Sequence, residues 1–256
     1  MKKTNKITHL FYMPLLVWAL LIVANSSCSS DGTTEEMQEM EEEQAEENPE
    51  TCVNGKVYVE KEGLVRVDIV NTGLDNGWVT ANTLAGFEGP GYLIWTGENN
   101  FNQPGNGTIK FSIQINTPGT YQFVWSSRIG IGDNRSEHND SWLRIATAAD
   151  FFGEKASTGE RVFPRGVGKM PNPEGSSSNG WLKVYMNRVG EWFWRSSTND
   201  NDPFDVFATF DNAGVYDIEI SGRSNGHALD QFVLFKTDKN LSTAQNTPLS
   251  EIICSN

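Results

Sequence analysis

Gly119-Thr120-Tyr121-Gln122-Phe123-Val124-Trp125 and Gly214-Val215-Tyr216-Asp217-Ile218-Glu219-Ile220 are the two stretches that decide the fold. Each opens on a glycine turn and then alternates between an inward and an outward face, the period-2 signature of a strand. Each runs into a turn bearing an arginine: Ser126-Ser127-Arg128-Ile129-Gly130 after the first, Ser221-Gly222-Arg223-Ser224-Asn225-Gly226 after the second. Two such strands, placed either side of a loop-rich and tryptophan-rich middle, predict a β-sandwich that carries its chemistry on loops.

Outward from these strands the same pattern recurs. Ile109, Phe111, Ile113 and Ile115 alternate with Lys110, Ser112 and Gln114. Further strands are predicted near residues 56–60, 64–70, 91–95, 141–146, 181–186, 190–195, 205–210 and 229–235. Turn chemistry separates them at Gly89-Pro90-Gly91, Pro104-Gly105-Asn106-Gly107, Pro118-Gly119 and Asp211-Asn212-Ala213-Gly214. No segment sustains a 3.6-residue apolar period, and the one helix candidate is short, over 147–153. Many short strands with regular turns predict an all-β jelly-roll sandwich. It is interrupted by a long Pro-, Gly- and Ser-rich insertion over 153–179.

Three domains are expected. Residues 1–27 form an export signal: Lys2, Lys3 and Lys6 precede an apolar run over 11–24 that is too short to span a bilayer. Asn25-Ser26-Ser27-Cys28 resembles a bacterial lipoprotein cleavage box, with Asn25 where an aliphatic residue is usual. It predicts lipidation of Cys28; ordinary cleavage after Ser26, releasing a soluble product, is the alternative. Residues 28–51 hold Asp31 and nine glutamates with no Lys or Arg, so they read as a disordered acidic tether. A Glu-rich segment after a lipidated Cys also resembles the surface-export signals of Bacteroidetes lipoproteins, although a plain solvated spacer has the same composition. The expected location is therefore the outer membrane, exposed at the cell surface and held through the lipid anchor only.

The formal charge of −13 becomes −16 without the signal lysines, and the tether holds ten of those charges. Residues 52–256, the sandwich module, thus carry about −6, with 17 Lys and Arg against 23 Asp and Glu and no basic stretch. Nucleic acid is excluded as a partner on that balance. Cys52 and Cys254 bracket the module, and an even pair in an exported chain reads as a disulfide; two free thiols are the alternative.

The landmarks of the module, taken in order, resemble those of the jelly-roll carbohydrate-binding modules related to families six and thirty-five. They are residues 65–70 as first strand, Gly86-Phe87-Glu88-Gly89-Pro90-Gly91-Tyr92-Leu93, Pro118-Gly119-Thr120-Tyr121 leading to Arg128, Ser221-Gly222-Arg223, and Leu229-Asp230-Gln231-Phe232-Val233-Leu234. The resemblance covers most of 56–236. It implies binding of a polysaccharide or oligosaccharide beside polysaccharide-degrading enzymes. It also implies a structural calcium, for which Asp68 and Asp230 match while Val70 stands where a second acid is usual.

A sugar site is an exposed aromatic ring rimmed by polar groups. Of the seven tryptophans after the signal segment, Trp95 and Trp125 are expected in the core. Trp192 and Trp194 share one strand face and are candidate platforms. The candidate rim is Arg128, Asn139, Asp140, Arg223, Asn225 and His227, with Asn139 and Asp140 equally readable as turn caps. Asn199-Asp200-Asn201-Asp202 with Asp205 offers oxygen ligands to a hard cation but lacks the glycine and distal glutamate of an EF-hand, and a solvated turn explains it as well.

Catalytic signatures are absent: no Gly-x-Ser-x-Gly, no His-Glu-x-x-His and no phosphate-cradling loop. The expectation is a binding module without catalytic residues. The alternatives are a carboxylate-pair hydrolase, a lyase using Tyr185, Arg223 and His227, or a protein-binding adhesive sandwich.

Overall fold

The computed structural model describes residue 52, residues 55–71 and residues 76–255. The expected signal over 1–27, the lipidation expected at Cys28 and the expected tether to residue 51 lie outside the described residues. Among those described, strand dominates, with one short α-helix, α1 (Leu241–Asn246), and a single 3-10 turn over Ile69–Asn71. The strands are β1 (Lys56–Val59), β2 (Leu64–Asp68), β3 (Trp78–Ala81), β4 (Tyr92–Trp95), β5 (Ile109–Ile115), β6 (Gly119–Ile129), β7 (Asp140–Arg144) and β8 (Asp150–Glu154). They continue as β9 (Arg161–Val162), β10 (Ser177–Ser178), β11 (Trp181–Tyr185), β12 (Phe193–Trp194), β13 (Ser197–Thr198), β14 (Phe204–Phe210), β15 (Gly214–Ser221), β16 (His227–Lys236) and β17 (Ile252–Cys254).

They form two layers. The first runs β17-β1-β5-β15-β7-β11-β10, antiparallel throughout except for the parallel β1–β5 pair. The second runs β9-β8-β14-β6-β16, and β16 pairs along its far edge with β2 and then β4, which carries β3. Between them lies an aromatic core: Phe111 of the first layer meets Phe232 of the second at 5.1 Å, and Phe232 stacks on Phe123 at 5.4 Å. Ile109, Phe111, Ile113 and Ile115 all point into it, as their alternation predicted. The architecture is the expected all-β jelly-roll sandwich.

The two Gly-x-Tyr strands share a device. The Tyr121 hydroxyl donates to the Thr117 carbonyl at 2.6 Å, and the Tyr216 hydroxyl to the Asn212 carbonyl at 2.8 Å. Each tyrosine thereby ties its strand to the turn four residues upstream, as in the tyrosine corner of other sandwiches. Phe210 packs against both rings, at 5.5 and 4.6 Å. Cys52 and Cys254 are disulfide-bonded, closing β17 onto β1 at the start of the module.

Two expectations fail locally. The helix candidate over 147–153 is instead a turn entering β8, whose Phe152 lies opposite Phe207 of β14. Rings at 5.7 Å across the ladder stabilise the strand more than a single short turn could stabilise a helix. The 153–179 insertion, expected as an irregular loop, contains β9 and β10 and is pinned to the sandwich. Glu174 N–H donates to Asn199 Oδ1 at 2.6 Å, Asp200 N–H donates to the Glu174 carbonyl at 3.2 Å, and β10 pairs with β11.

Candidate functional site

Trp95 organises one end of the sandwich. Its indole is walled by glycine backbone: a Cβ on Gly97, Gly107 or Gly222 would stand 2.2–2.3 Å from its ring atoms. Only glycine permits that approach, which explains the glycine of Ser221-Gly222-Arg223. The indole N–H donates to the Glu98 carbonyl at 2.9 Å, and Gly226 N–H donates to the Trp95 carbonyl at 2.7 Å. The loop after β4 and the loop before β16 are thus both moored to one buried ring.

The β6–β7 loop joins them. His227 lies opposite Ile129, and Gly130 N–H donates to the Gly226 carbonyl at 2.9 Å. The turns that follow the two Gly-x-Tyr strands therefore emerge at the same end, side by side. Asn225 is held by Asn99 Oδ1 at its N–H (2.8 Å) and by the Gly97 carbonyl at its side chain (2.9 Å), while its own carbonyl bonds His138 Nδ1. His138 itself occupies the left-handed region at φ 54, a strained conformation for a residue with a Cβ.

At the centre Asp140, the first residue of β7, is ion-paired with Arg223 and accepts a hydrogen bond from Ser224 Oγ. The Arg223 guanidinium lies between two rings, 5.0 Å from the Phe101 centroid and 5.1 Å from that of Trp142, and reaches Ser176 Oγ of the insertion at 3.3 Å. Asn139 is turned inward, its amide donating to the carbonyls of Arg135 (3.1 Å) and Met186 (2.6 Å). Asn139 is thus a structural clamp whose donors are committed to backbone.

Two open clefts adjoin this centre. One of about 410 Å³ is lined by Phe101, His138, Asp140, Lys183 and Arg223. The other, of about 580 Å³, is lined by Arg135, Asp140, Lys183, Tyr185 and Asn187. Lys183 is ion-paired with Asp200, and the Tyr185 hydroxyl donates to the Asn199 carbonyl at 3.0 Å. Burial, with the Asp200 charge beside it, pushes the Tyr185 phenol up to about 12.

The expected site residues separate into groups. Asp140 and Arg223 line the first cleft, with Asn225 and Asn139 fastening its loops. His227 is fully buried, its Nδ1 2.8 Å from Ser141 Oγ and its ring 5.6 Å from that of Trp125, so it offers no atom to a ligand at the surface. The imidazole fills a core position because Trp125 and Ser141 supply both the apolar and the polar neighbour. Trp192 and Trp194 serve other contacts. Trp192 packs on Tyr92 at 5.0 Å with its indole N–H 3.4 Å from the Leu84 carbonyl, and Arg128 donates to Ala85 of the same loop at 3.0 Å. Trp194 packs with Leu64 and Leu241 against Val124, Val233 and Phe235.

The ring that does line the cleft is Phe101, 46% exposed. Its sequence signal is weak, an aromatic flanked on both sides by polar residues in Asn99-Asn100-Phe101-Asn102-Gln103, and it was not among the expected site residues. Lys183 carried no comparable signal beyond its outward position in β11. The Asn199–Asp205 turn is structural: Asp202 pairs with Lys155 at 2.7 Å, Asp205 with Arg195 at 3.4 Å, and Asn199 Oδ1 accepts from Glu174 N–H at 2.6 Å.

Asp68 and Asp230 are both almost completely buried on neighbouring strands, Asp68 lying opposite Gln231. Val70 N–H donates to Asp68 Oδ1 at 3.0 Å, and Glu88 N–H to Asp230 Oδ2 at 3.2 Å. Asp230 Oδ1 has no hydrogen-bond partner. Burial, reinforced by the Asp68 and Glu88 charges, pushes the Asp230 carboxyl up to about 7; burial also raises Asp68. Two crowded carboxylates with an orphaned oxygen suit a hard cation. Among the described residues no cluster of three acidic, His or Cys side chains forms there, so backbone or water would complete the shell.

No protein-family model matches the chain, and no curated protein matches it. Solved structures similar to it include the GH26-CBM35 β-(1,4)-mannanase of Podospora anserina, at 15% identity and TM-score 0.40 over 70% of this chain and 29% of the enzyme. The isomalto-dextranase of Arthrobacter globiformis T6, complexed with panose, aligns at 15% identity and TM-score 0.37 over 68% of this chain and 24% of that one. Xyl-CBM35 in complex with a glucuronic acid-containing disaccharide aligns at 12% identity and TM-score 0.35, over 75% of this chain and 98% of the module. The chain spans less than a third of the length of the two enzymes.

Proposed function

We propose that this chain binds a polysaccharide or oligosaccharide without transforming it, in the clefts either side of Asp140 and Lys183. The observation that carries this reading is the exposed Phe101 ring set over the buried Asp140–Arg223 pair in an open cleft. A sugar ring presents C–H groups to an aromatic face while its hydroxyls bond the surrounding polar groups. Loops moored to the Trp95 ring give such a site the rigidity that recognition needs.

Binding without turnover is supported by what the polar groups already do. Asp140 is engaged by Arg223 and Ser224, Asp200 by Lys183, and the Tyr185 phenol is held protonated. The lyase trio of Tyr185, Arg223 and His227 is not presented together, because His227 lies in the core. The reading extends to export and anchoring through Cys28, to display at the outer membrane beside polysaccharide-degrading enzymes, and to a structural calcium held by Asp68 and Asp230.

A glycan array run with reducing-sugar and unsaturated-product assays tests the central claim. Binding without product supports it. Product release overturns it in favour of an enzyme, and silence in all three favours a protein partner. For the anchor, a palmitate analogue should label the wild type and not Cys28→Ala; equal labelling overturns it.

A further inference from the structure

The clefts of about 410 and 580 Å³ are not separate pockets. Ser136, Asp140 and Lys183 line both, so they are two compartments of one trough with a common sill. Each falls within the roughly 300–1,000 Å³ typical of small-ligand sites. The first compartment offers the Phe101 ring and the second the Tyr185 and Asn187 side chains.

The charges of the trough are balanced. Arg135, Lys183 and Arg223 face Glu137, Asp140 and Asp200. Four of these six are consumed in the Arg223–Asp140 and Lys183–Asp200 pairs, leaving one cation and one anion. An ionised ligand would find no surplus of the opposite sign, and drawing Arg223 to it would strand Asp140 in a buried setting without its partner. A neutral ligand meets no such cost, since amides and hydroxyls can bond it without disturbing either pair.

We infer, building on the carbohydrate-binding reading, that the trough takes a neutral oligosaccharide of at least two rings. One ring lies on Phe101, the next beside Tyr185 and Asn187, and their linkage crosses Asp140 and Lys183.

Titration calorimetry of the full chain tests this with neutral mono-, di- and trisaccharides alongside uronate-containing and sulfated oligosaccharides, each at low and high salt. Neutral disaccharide should bind at least about tenfold more tightly than monosaccharide, the step worth one well-placed ring. Its affinity should be the same at about 0.01 M and about 1 M salt, because no net charge is being screened. Phe101→Ala should weaken the disaccharide about tenfold or more, by analogy with aromatic platforms for other planar ligands. Asn187→Ala should reduce the gain from the second ring. Asn187 is exposed, whereas Phe101 also packs on the Arg223 guanidinium, so melting curves run beside both variants separate loss of binding from loss of folding.

Equal affinity for one ring and two overturns the inference, as does preferential, salt-sensitive binding of an acidic glycan; both leave the carbohydrate-binding reading standing. Failure to bind any glycan overturns the reading and the inference together.

Discussion

Arg223 and Asp140, 83 residues apart in the chain, form an ion pair in which each side chain is only 8% exposed. It joins the loop before β16 to the first residue of β7 and so spans the two layers at the end that carries the cleft. The phenyl ring of Phe101 and the indole of Trp142 flank the guanidinium, shielding the pair from water that would weaken it.

Removing one partner of a buried pair leaves the other charged and unsolvated. Arg223→Met should therefore cost about 3–5 kcal/mol in urea unfolding. Adding Asp140→Asn to that variant should recover part of the loss, because the stranded carboxylate is gone. A double variant less stable than the sum of the two single variants would contradict this account.

His227 predicts a pH dependence with a definite sign. Burial lowers its imidazole to about 4, the Asp140 charge acting in the opposite direction. In the unfolded chain the group titrates near 6.5. Between those values the unfolded state binds more protons, so the contribution to stability is complete above about pH 6.5 and is lost as pH falls toward 4. The slope is about 1.4 kcal/mol per pH unit, or roughly 3 kcal/mol across the window. Asp205 and Asp230, whose folded values are raised, act in the reverse sense, gaining stability on acidification. His227→Gln removes the first effect and keeps the second, so it should lose less stability than the wild type from pH 7 to pH 4. Parallel stability curves would count against a neutral buried imidazole.

Calcium is tested by chelation. A cation held by Asp68 and Asp230 in the folded state alone stabilises it by mass action, so chelator should lower the melting temperature and added calcium restore it. Asp230→Asn should melt the same with and without chelator. A wild-type melt indifferent to chelator would show that Asp68 and Asp230 hold no such ion.

The Cys52–Cys254 bond closes a loop of sequence separation 202. Chain-entropy reasoning gives up to about 5 kcal/mol for a loop of that length. Cys254→Ser should lower stability by a large part of that amount in guanidinium unfolding, and reductant should do the same to the wild type. A loss below about 1 kcal/mol would mean that pairing of β17 with β1 already holds the termini without the bond.

The layers were legible because strand alternation is a local property. Phe111 with Ile113, and Tyr121 with Phe123, each declare an inward face within one short strand, whatever they later pack against. The matched Gly-x-Tyr turns were legible for the same reason, since each tyrosine bonds a carbonyl only four residues away. Phe152 was not, because its strand depends on Phe207, distant in the chain and adjacent only after folding.

The same division holds for the site. An all-β sandwich could be read from the chain because alternation is set by neighbouring residues, and an even cysteine pair offered the terminal bond; the pairing of Cys52 with Cys254 and the meeting of the Arg128 and Arg223 turns, which join residues far apart in the chain, came from folding. Tertiary structure decided which side chains face outward: it buried His227 behind Trp125, turned Asn139 onto backbone carbonyls, assigned Trp192 and Trp194 to loop and helix packing, and left Phe101 exposed over Arg223. Exposure depends on what the rest of the chain places in front of a residue, and no local pattern encodes that.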